Sequence, residues 1–180
     1  MLQRPRIAPL VKIRFLRRLE NIVLGFGSNV GNSLEYLRNA VKALSSFTQN
    51  VRVSSVYRTK PQDYLEQDDF LNLVFTADYD GTPHSLLERT QSIERQNGRN
   101  RAKQIAKGPR TLDIDILLFG TQTLNTSELV VPHPAMKKRQ FVLIPLLEVL
   151  PDYAEPISKV PYSYFLERLE NQGVEKLCTL

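Results

Sequence analysis

Cysteine is almost missing from this chain: Cys178, near the C-terminus, is the single one in 180 residues. A lone thiol excludes a disulfide framework and a cysteine-based zinc site, and it fits a reducing compartment. Long apolar runs are missing as well, and no stretch approaches the ~20 residues that a membrane-spanning helix needs. Neither GxGxxG nor GxxxxGK[ST] occurs, which argues against a dinucleotide fingerprint and a Walker phosphate loop. Acids are scarce only at the start. Residues 1–20 hold six basic side chains against Glu20 alone, leaving 18 basic and 18 acidic residues in 21–180. The net charge of +5 therefore sits in the leader, and the remainder carries no polyanion-binding excess. That leader is Arg-rich like an organellar transit peptide but has no serine before Ser28, and it lacks the apolar core of a secretory signal. We expect a disordered or loosely docked extension over 1–20 and a single domain over 21–180.

What is present is ordinary globular composition, 42% hydrophobic and 24% charged, in a chain long enough to bury one core. Asn21 to Gly27 reads as a first strand running into a turn. Asn32 followed by Glu35 marks a helix N-terminus, with Leu34, Leu37, Val41, Leu44 and Phe47 on one face. Val51 to Arg58 reads as a second strand and Phe70 to Tyr79 as a third. Alternation in the third puts Leu71, Leu73, Phe75 and Ala77 on one face, and Phe70, Asn72, Val74 and Thr76 on the other. Thr82-Pro83 opens a second helix that should run to Gln96 and stop at Asn97-Gly98. A basic loop, a strand from Leu112 and a short hairpin segment over Asn125–Val131 follow. His133 to Leu150 should be helical and broken at Pro145, with a last helix from Tyr162 to Asn171. The order strand, helix, strand, strand, helix, strand predicts a ferredoxin-like α+β sandwich, with helices on one face of an antiparallel sheet and helical additions at the C-terminus.

The chemistry centres on Gly108-Pro109-Arg110-Thr111-Leu112-Asp113-Ile114-Asp115-Ile116-Leu117-Leu118. Strand side chains alternate, so Asp113 and Asp115 share one face and Leu112, Ile114, Ile116 and Leu118 take the other. Two carboxylates about 6–7 Å apart along an apolar strand are costly unless a cation or hydrogen bonds offset them. Hard oxygen donors without a thiolate favour Mg²⁺ over zinc. Arg99, Arg101, Lys103, Lys107 and Arg110 precede the pair and could clamp a polyphosphate. Elsewhere the signals are weaker. Gly25, Gly27 and Gly31 fit a tight strand-to-helix turn without any ligand. His133, between prolines and ahead of Lys137, Lys138 and Arg139, is as consistent with a phosphate contact as with a structural role. His84, in a helix's first turn, suggests nothing special. Asn72 on an apolar strand needs partners, and beside Phe70 and Phe141 it would suit a flat heterocycle rich in donors and acceptors.

Gly27-Ser28-Asn29, Val56-Tyr57-Arg58-Thr59, Phe70-Leu71-Asn72, Gly98-Arg99, the run from Gly108 to Asp115, and Val131-Pro132-His133-Pro134 occur together in one order and spacing. From about Asn21 onward the chain resembles the 6-hydroxymethyl-7,8-dihydropterin pyrophosphokinases of folate biosynthesis. The resemblance implies transfer of the β,γ-pyrophosphoryl group of ATP to the pterin hydroxymethyl oxygen, with AMP released. It implies that Asp113 and Asp115 hold two Mg²⁺ ions and that Arg99 and Arg110 stabilise developing charge. It places Gln91, Glu94, Arg101, Arg110, Ile116, His133 and Arg139 on ATP. It places Thr59, Pro61, Phe70, Asn72, Asp113 and Phe141 on the pterin, the two aromatics stacking on its faces. It also implies a cytoplasmic monomer with no nucleic-acid or membrane partner. The chain departs from the family at Ala106-Lys107, where many members carry a basic residue and an aromatic. Phe70 stands for a Tyr of some members, and Glu128 for a basic residue of others.

Two other classes fit the sequence less well. A polymerase-β-type nucleotidyltransferase also joins Gly-Ser to Asp-x-Asp, about one supersecondary turn apart, whereas Ser28 and Asp113 are 85 positions apart. An RNA-binding module of similar topology should carry aromatics and basic residues on its central strands. Here a strand carries two acids, which repel phosphate unless metal is bound.

Overall fold

The computed structural model of the chain describes residues 19–61, 66–100 and 108–180. The extension over 1–18 and most of the basic loop, including Arg101, Lys103 and Lys107, lie outside the described residues.

Nine residues, buried on both faces from Ile22 onward except at Gly25, make β1, Glu20–Ser28, a central strand of the sheet. It pairs antiparallel with β4, Phe70–Tyr79, on one side and with β5, Asp113–Phe119, on the other. Beyond β4 lie β2, Gln49–Val53, and β3, Val56–Thr59, which both pair with β4. The expected single second strand is thus two, parted at the buried Ser54 and Ser55, where the Ser54 hydroxyl accepts the Val74 N–H at 2.9 Å. The order β5-β1-β4-β3, with β1 and β4 central, is the ferredoxin-like arrangement expected from the element order.

Helices α1, Ser33–Ser45, and α2, Pro83–Gln96, cover one face. Their starts follow local chemistry: Asn32 Oδ1 accepts the Glu35 N–H, and Thr82 and Ser85 exchange a reciprocal pair of bonds ahead of Pro83. Between them and the sheet lies a core of Ile22, Leu24, Phe26, Leu37, Leu44, Phe75, Ile114 and Phe119.

The opposite face is covered too, so the helices are not confined to one side. There α3, Gln140–Val149, and α4, Tyr162–Leu166, pack Val142, Leu143, Leu146 and Tyr162 on Val23, Val74, Leu117 and Leu118. Pro145 does not break α3. It removes one backbone bond, which the burial of Val142, Leu143 and Leu146 on the sheet offsets. The last helix is shorter than expected, because the chain leaves it for a final strand β8, Glu175–Cys178, laid antiparallel on β3. The segment around Asn125–Val131 does form a small hairpin, β6 (Leu124–Asn125) with β7 (Val130–Val131).

Strict alternation fails at one place in β5. Val23 pairs with Leu118 and Leu24 with Ile116, so Leu117 is an extra residue opposite β1. After this bulge Leu118 lies with Leu117 on the face of the aspartates, not with Ile114 and Ile116 as uniform alternation predicts.

Candidate active site

The sheet register assembles the site. Asp113 lies opposite Gly27, Gly27 opposite Asn72, and Asn72 opposite Tyr57, so one row crosses four strands. A second row runs from Asp115 through Gly25 to Val74. Gly25 and Gly27 therefore lie within a strand and make no turn; of the three glycines only Gly31, at φ +70°, makes the bend. On the ligand face they leave bare backbone. A Cβ on Gly25 would stand 3.2 Å from Leu117, and one on Gly27 3.3 Å from Asn72 Oδ1. The result is a flat-floored cleft of about 760 Å³, part of it open to solvent.

Thr59, Lys60 and Pro61 line that cleft from the end of β3, and Phe141 and Val142 line it from α3. Phe70 and Asn72 rise from β4, and Arg110, Asp113, Asp115 and Arg139 form the charged end. Asn72 is buried, and its amide donates to Thr59 Oγ1 at 2.8 Å. Each aromatic wall carries an arginine: the Arg110 guanidinium lies 4.7 Å from the Phe70 ring centre, and that of Arg139 lies 5.5 Å from Phe141. The apolar pocket is thereby joined directly to the cationic end.

Arg110 is held from behind by the Gly-Ser-Asn segment. Asn29 Oδ1 accepts the Arg110 N–H at 2.8 Å, the Asn29 N–H donates to the Arg110 carbonyl at 3.1 Å, and its amide reaches the Asp68 carbonyl. Ser28 donates to the Thr111 carbonyl. Sequence reasoning gave these two residues no task. Their burial on a polar segment was the available signal, and it needs the fold to be seen.

The acidic pair is unequal. Asp113 is bridged by Arg99 and by Arg110 Nε at 3.0 Å. Arg99 in turn meets the buried Glu94, whose Oε1 also accepts the Ile114 N–H at 2.8 Å. Asp115 has Arg139 at 4.0 Å. Crowding by the protein and the like charge of Asp113 push the Asp115 carboxyl up to about 6, against the pull of Arg139 and Arg110. Its side chain keeps 41% of its surface, so solvent moderates the effect of burial, and the repulsion from Asp113 is the sounder cause. Two hard carboxylates under mutual repulsion fit a divalent cation. No group of three or more His, Cys, Asp or Glu ligands exists among the described residues, so such an ion would take further oxygens from water or a phosphate.

The other expected residues lie around this centre. His133 donates its backbone N–H to the Leu117 carbonyl, and its Nδ1 accepts the Ala135 N–H at 3.2 Å, which leaves Nε2 to carry the proton of a neutral ring. Burial, helped by Arg139, lowers its pKa and favours that neutral form. Glu94 and Ile116 are buried outside the cleft lining, Ile116 among the core residues under the helices. Gln91 is half-buried on α2 and also outside the lining. Glu128 faces His84 at 3.5 Å on the surface. Among the described residues no helix is long and apolar enough to cross a membrane.

Comparison with known proteins gives the family and the fold. The family model for 7,8-dihydro-6-hydroxymethylpterin-pyrophosphokinase (HPPK) matches residues 23–151. A 2-amino-4-hydroxy-6-hydroxymethyldihydropteridine pyrophosphokinase of Aquifex aeolicus is 37% identical over 147 residues, covering 82% of this chain and 91% of its own. The enzyme of that name from Bacillus subtilis is 44% identical over 128 residues, covering 70% of this chain and 75% of its own. Among solved structures, wild-type Plasmodium falciparum HPPK-DHPS superposes with a TM-score of 0.65 at 14% identity, over 84% of this chain. This chain spans 45% of that longer one, and the likeness is one of fold. By the match over residues 23–151, which span both aspartates and α3, the chain belongs to the 7,8-dihydro-6-hydroxymethylpterin-pyrophosphokinase family.

Proposed function

We propose that this cleft transfers the pyrophosphoryl group of ATP to the hydroxymethyl oxygen of 6-hydroxymethyl-7,8-dihydropterin, giving the pterin pyrophosphate and AMP. The observation that carries the reading is the union of two unlike environments in one cleft. An aromatic, flat-floored pocket with a buried amide opens directly onto a carboxylate pair ringed by arginines.

Each residue then has a task. Phe70 and Phe141 take the faces of the heterocycle, and the bare backbone of Gly25 and Gly27 lets it lie close to β1. Asn72, fixed by Thr59, reads the donor and acceptor edge of the ring, where a missing partner would leave a buried polar group unpaired. Arg99 and Arg110 supply fixed positive charge beside Asp113, where the transferred group and the leaving AMP gather negative charge. Arg139 and a neutral, Nε2-protonated His133 add donors on the phosphate side. Gln91 and Glu94 complete the ATP side from α2, Glu94 by holding Arg99. Asp113 and Asp115 would hold Mg²⁺, which neutralises phosphate charge and aligns the attacking and leaving oxygens when bound.

The test is product analysis with Mg-ATP and the dihydropterin. AMP formed with the pterin pyrophosphate supports the reading. Free pyrophosphate with a nucleotidyl product would instead indicate nucleotidyl transfer.

A further inference from the structure

Outside the cleft lining, Glu148, near the end of α3, accepts four hydrogen bonds. Its Oε2 accepts the Ser55 N–H at 2.8 Å and the Tyr57 hydroxyl at 3.2 Å. Its Oε1 accepts the Ser55 hydroxyl at 2.7 Å and Lys176 Nζ at 2.8 Å. All four acceptor positions of the carboxylate are thus filled, by Ser55 just ahead of β3, by Tyr57 of β3 and by Lys176 of β8. Burial alone would raise this group, but the bonds from Lys176, Ser55 and Tyr57 more than reverse that and bring it down to about 2. Burial and Glu148 together hold the Tyr57 phenol up at about 12, so Tyr57 stays a donor.

The partners matter because of where they lead. Tyr57 is the register partner of Asn72, and Thr59, two residues further on the same face, accepts the Asn72 amide. Lys60 and Pro61 then continue as the cleft wall. On the other side, Phe141 precedes Glu148 by seven residues, two helical turns, so both lie on one side of α3 about 10 Å apart along its axis. One carboxylate therefore ties the wall that carries Phe141 to the wall that carries Thr59 and Pro61.

We propose that Glu148 is a positioning residue for the heterocycle, a clamp that sets the width of the cleft from about 10 Å away. The inference rests on the proposed pterin reading of that cleft. Stacking on Phe141 while Asn72, held by Thr59, reads the ring edge depends on the spacing of α3 and β3, and a displacement of about 1 Å at a binding site can cost up to about a hundredfold. Glu148 touches neither the acidic pair nor the arginines around it, so its loss should leave ATP handling alone.

The experiment is steady-state AMP formation by Glu148→Ala, Glu148→Gln and Tyr57→Phe, each with KM for the dihydropterin, KM for Mg-ATP, kcat and a melting curve. Asn72→Ala is run beside them. Glu148→Ala should raise the pterin KM about tenfold while the ATP KM and kcat stay within about twofold. Glu148→Gln keeps one acceptor oxygen and should fall between, and Tyr57→Phe should raise the pterin KM about two- to threefold. If Glu148→Ala does not fold, the Gln and Phe variants decide on the same split. A lower melting temperature with unchanged pterin KM in the variants that fold overturns the clamp, provided Asn72→Ala does raise it. An Asn72→Ala variant with unchanged pterin KM overturns the pterin reading of the cleft instead.

Discussion

Adding a single methyl group to the cleft floor tests the geometry of the site with little disturbance to the fold. Gly27 lies within β1, one residue from its end, with an ordinary extended backbone, so Gly27→Ala demands no unusual conformation. Alanine is favoured over glycine in a strand interior by roughly 0.5–1 kcal/mol, which offsets part of the cost of the tight contact with Asn72, so stability should change little. The new Cβ would stand 3.3 Å from Asn72 Oδ1 and 3.9 Å from the Phe70 ring. It would thus crowd the amide that reads the ring and rise into the plane on which the ring rests. Overfilling a fitted site costs about 1–3 kcal/mol, which corresponds to a loss of about 5- to 150-fold in kcat/KM for the pterin. The ATP KM should not move, because the methyl faces Asn72 and Phe70 and not Arg139. The assay is AMP release at saturating Mg-ATP with varied pterin, then the converse, with melting curves of both proteins. A Gly27→Ala enzyme with wild-type pterin kcat/KM and a normal melt would show that the heterocycle does not lie on β1.

Asp115→Ala should nearly abolish turnover while the protein stays folded, since the substitution removes a charge repelled by Asp113; activity at the wild-type rate with Mg²⁺ would refute the metal assignment. The Glu148 clamp also predicts an acid-sensitive increment of stability. Its folded pKa of about 2 is below the ordinary 4.5, so its contribution is complete above about pH 4.5 and is lost as pH falls towards 2. Given that its side chain is 28% exposed, about 1 kcal/mol is expected after allowance for solvent screening. Denaturant titrations of wild type and Glu148→Gln at pH 5.5 and pH 3 measure it: the gap between the two should narrow at the lower pH. Replacement of Asn29 by Ala should unseat the Arg110 backbone and lower kcat more than it raises the pterin KM; equal losses in both would assign Asn29 to the pterin pocket.

Much of the fold was legible because local signals agreed with tertiary burial. The N-caps at Asn32 and Thr82 depend on side chain and neighbouring backbone alone. The alternation of Phe70–Tyr79 reports a strand buried on two unlike faces, and the structure keeps both sets as read. The aspartate pair was legible for the same reason. What escaped has a common cause, dependence on partners remote in sequence. A bulge at Leu117 leaves no mark in a run of leucines, yet it turns Leu118 to the other face. Gly25 and Gly27 look like turn residues until their strand neighbours show that they form a floor. The short, mostly exposed β8 has no apolar alternation to announce it and depends on β3 for its place. The bridge from Glu94 through Arg99 to Asp113 joins a helix, a loop and a strand that only the sheet order brings together.

The most direct measurement follows the phosphorus atoms. With ATP labelled at the β-phosphate, Mg²⁺ and 6-hydroxymethyl-7,8-dihydropterin, the label should appear on the pterin product, with one unlabelled AMP formed for each. Label recovered in ADP, or in free pyrophosphate beside a nucleotidyl pterin, would contradict pyrophosphoryl transfer.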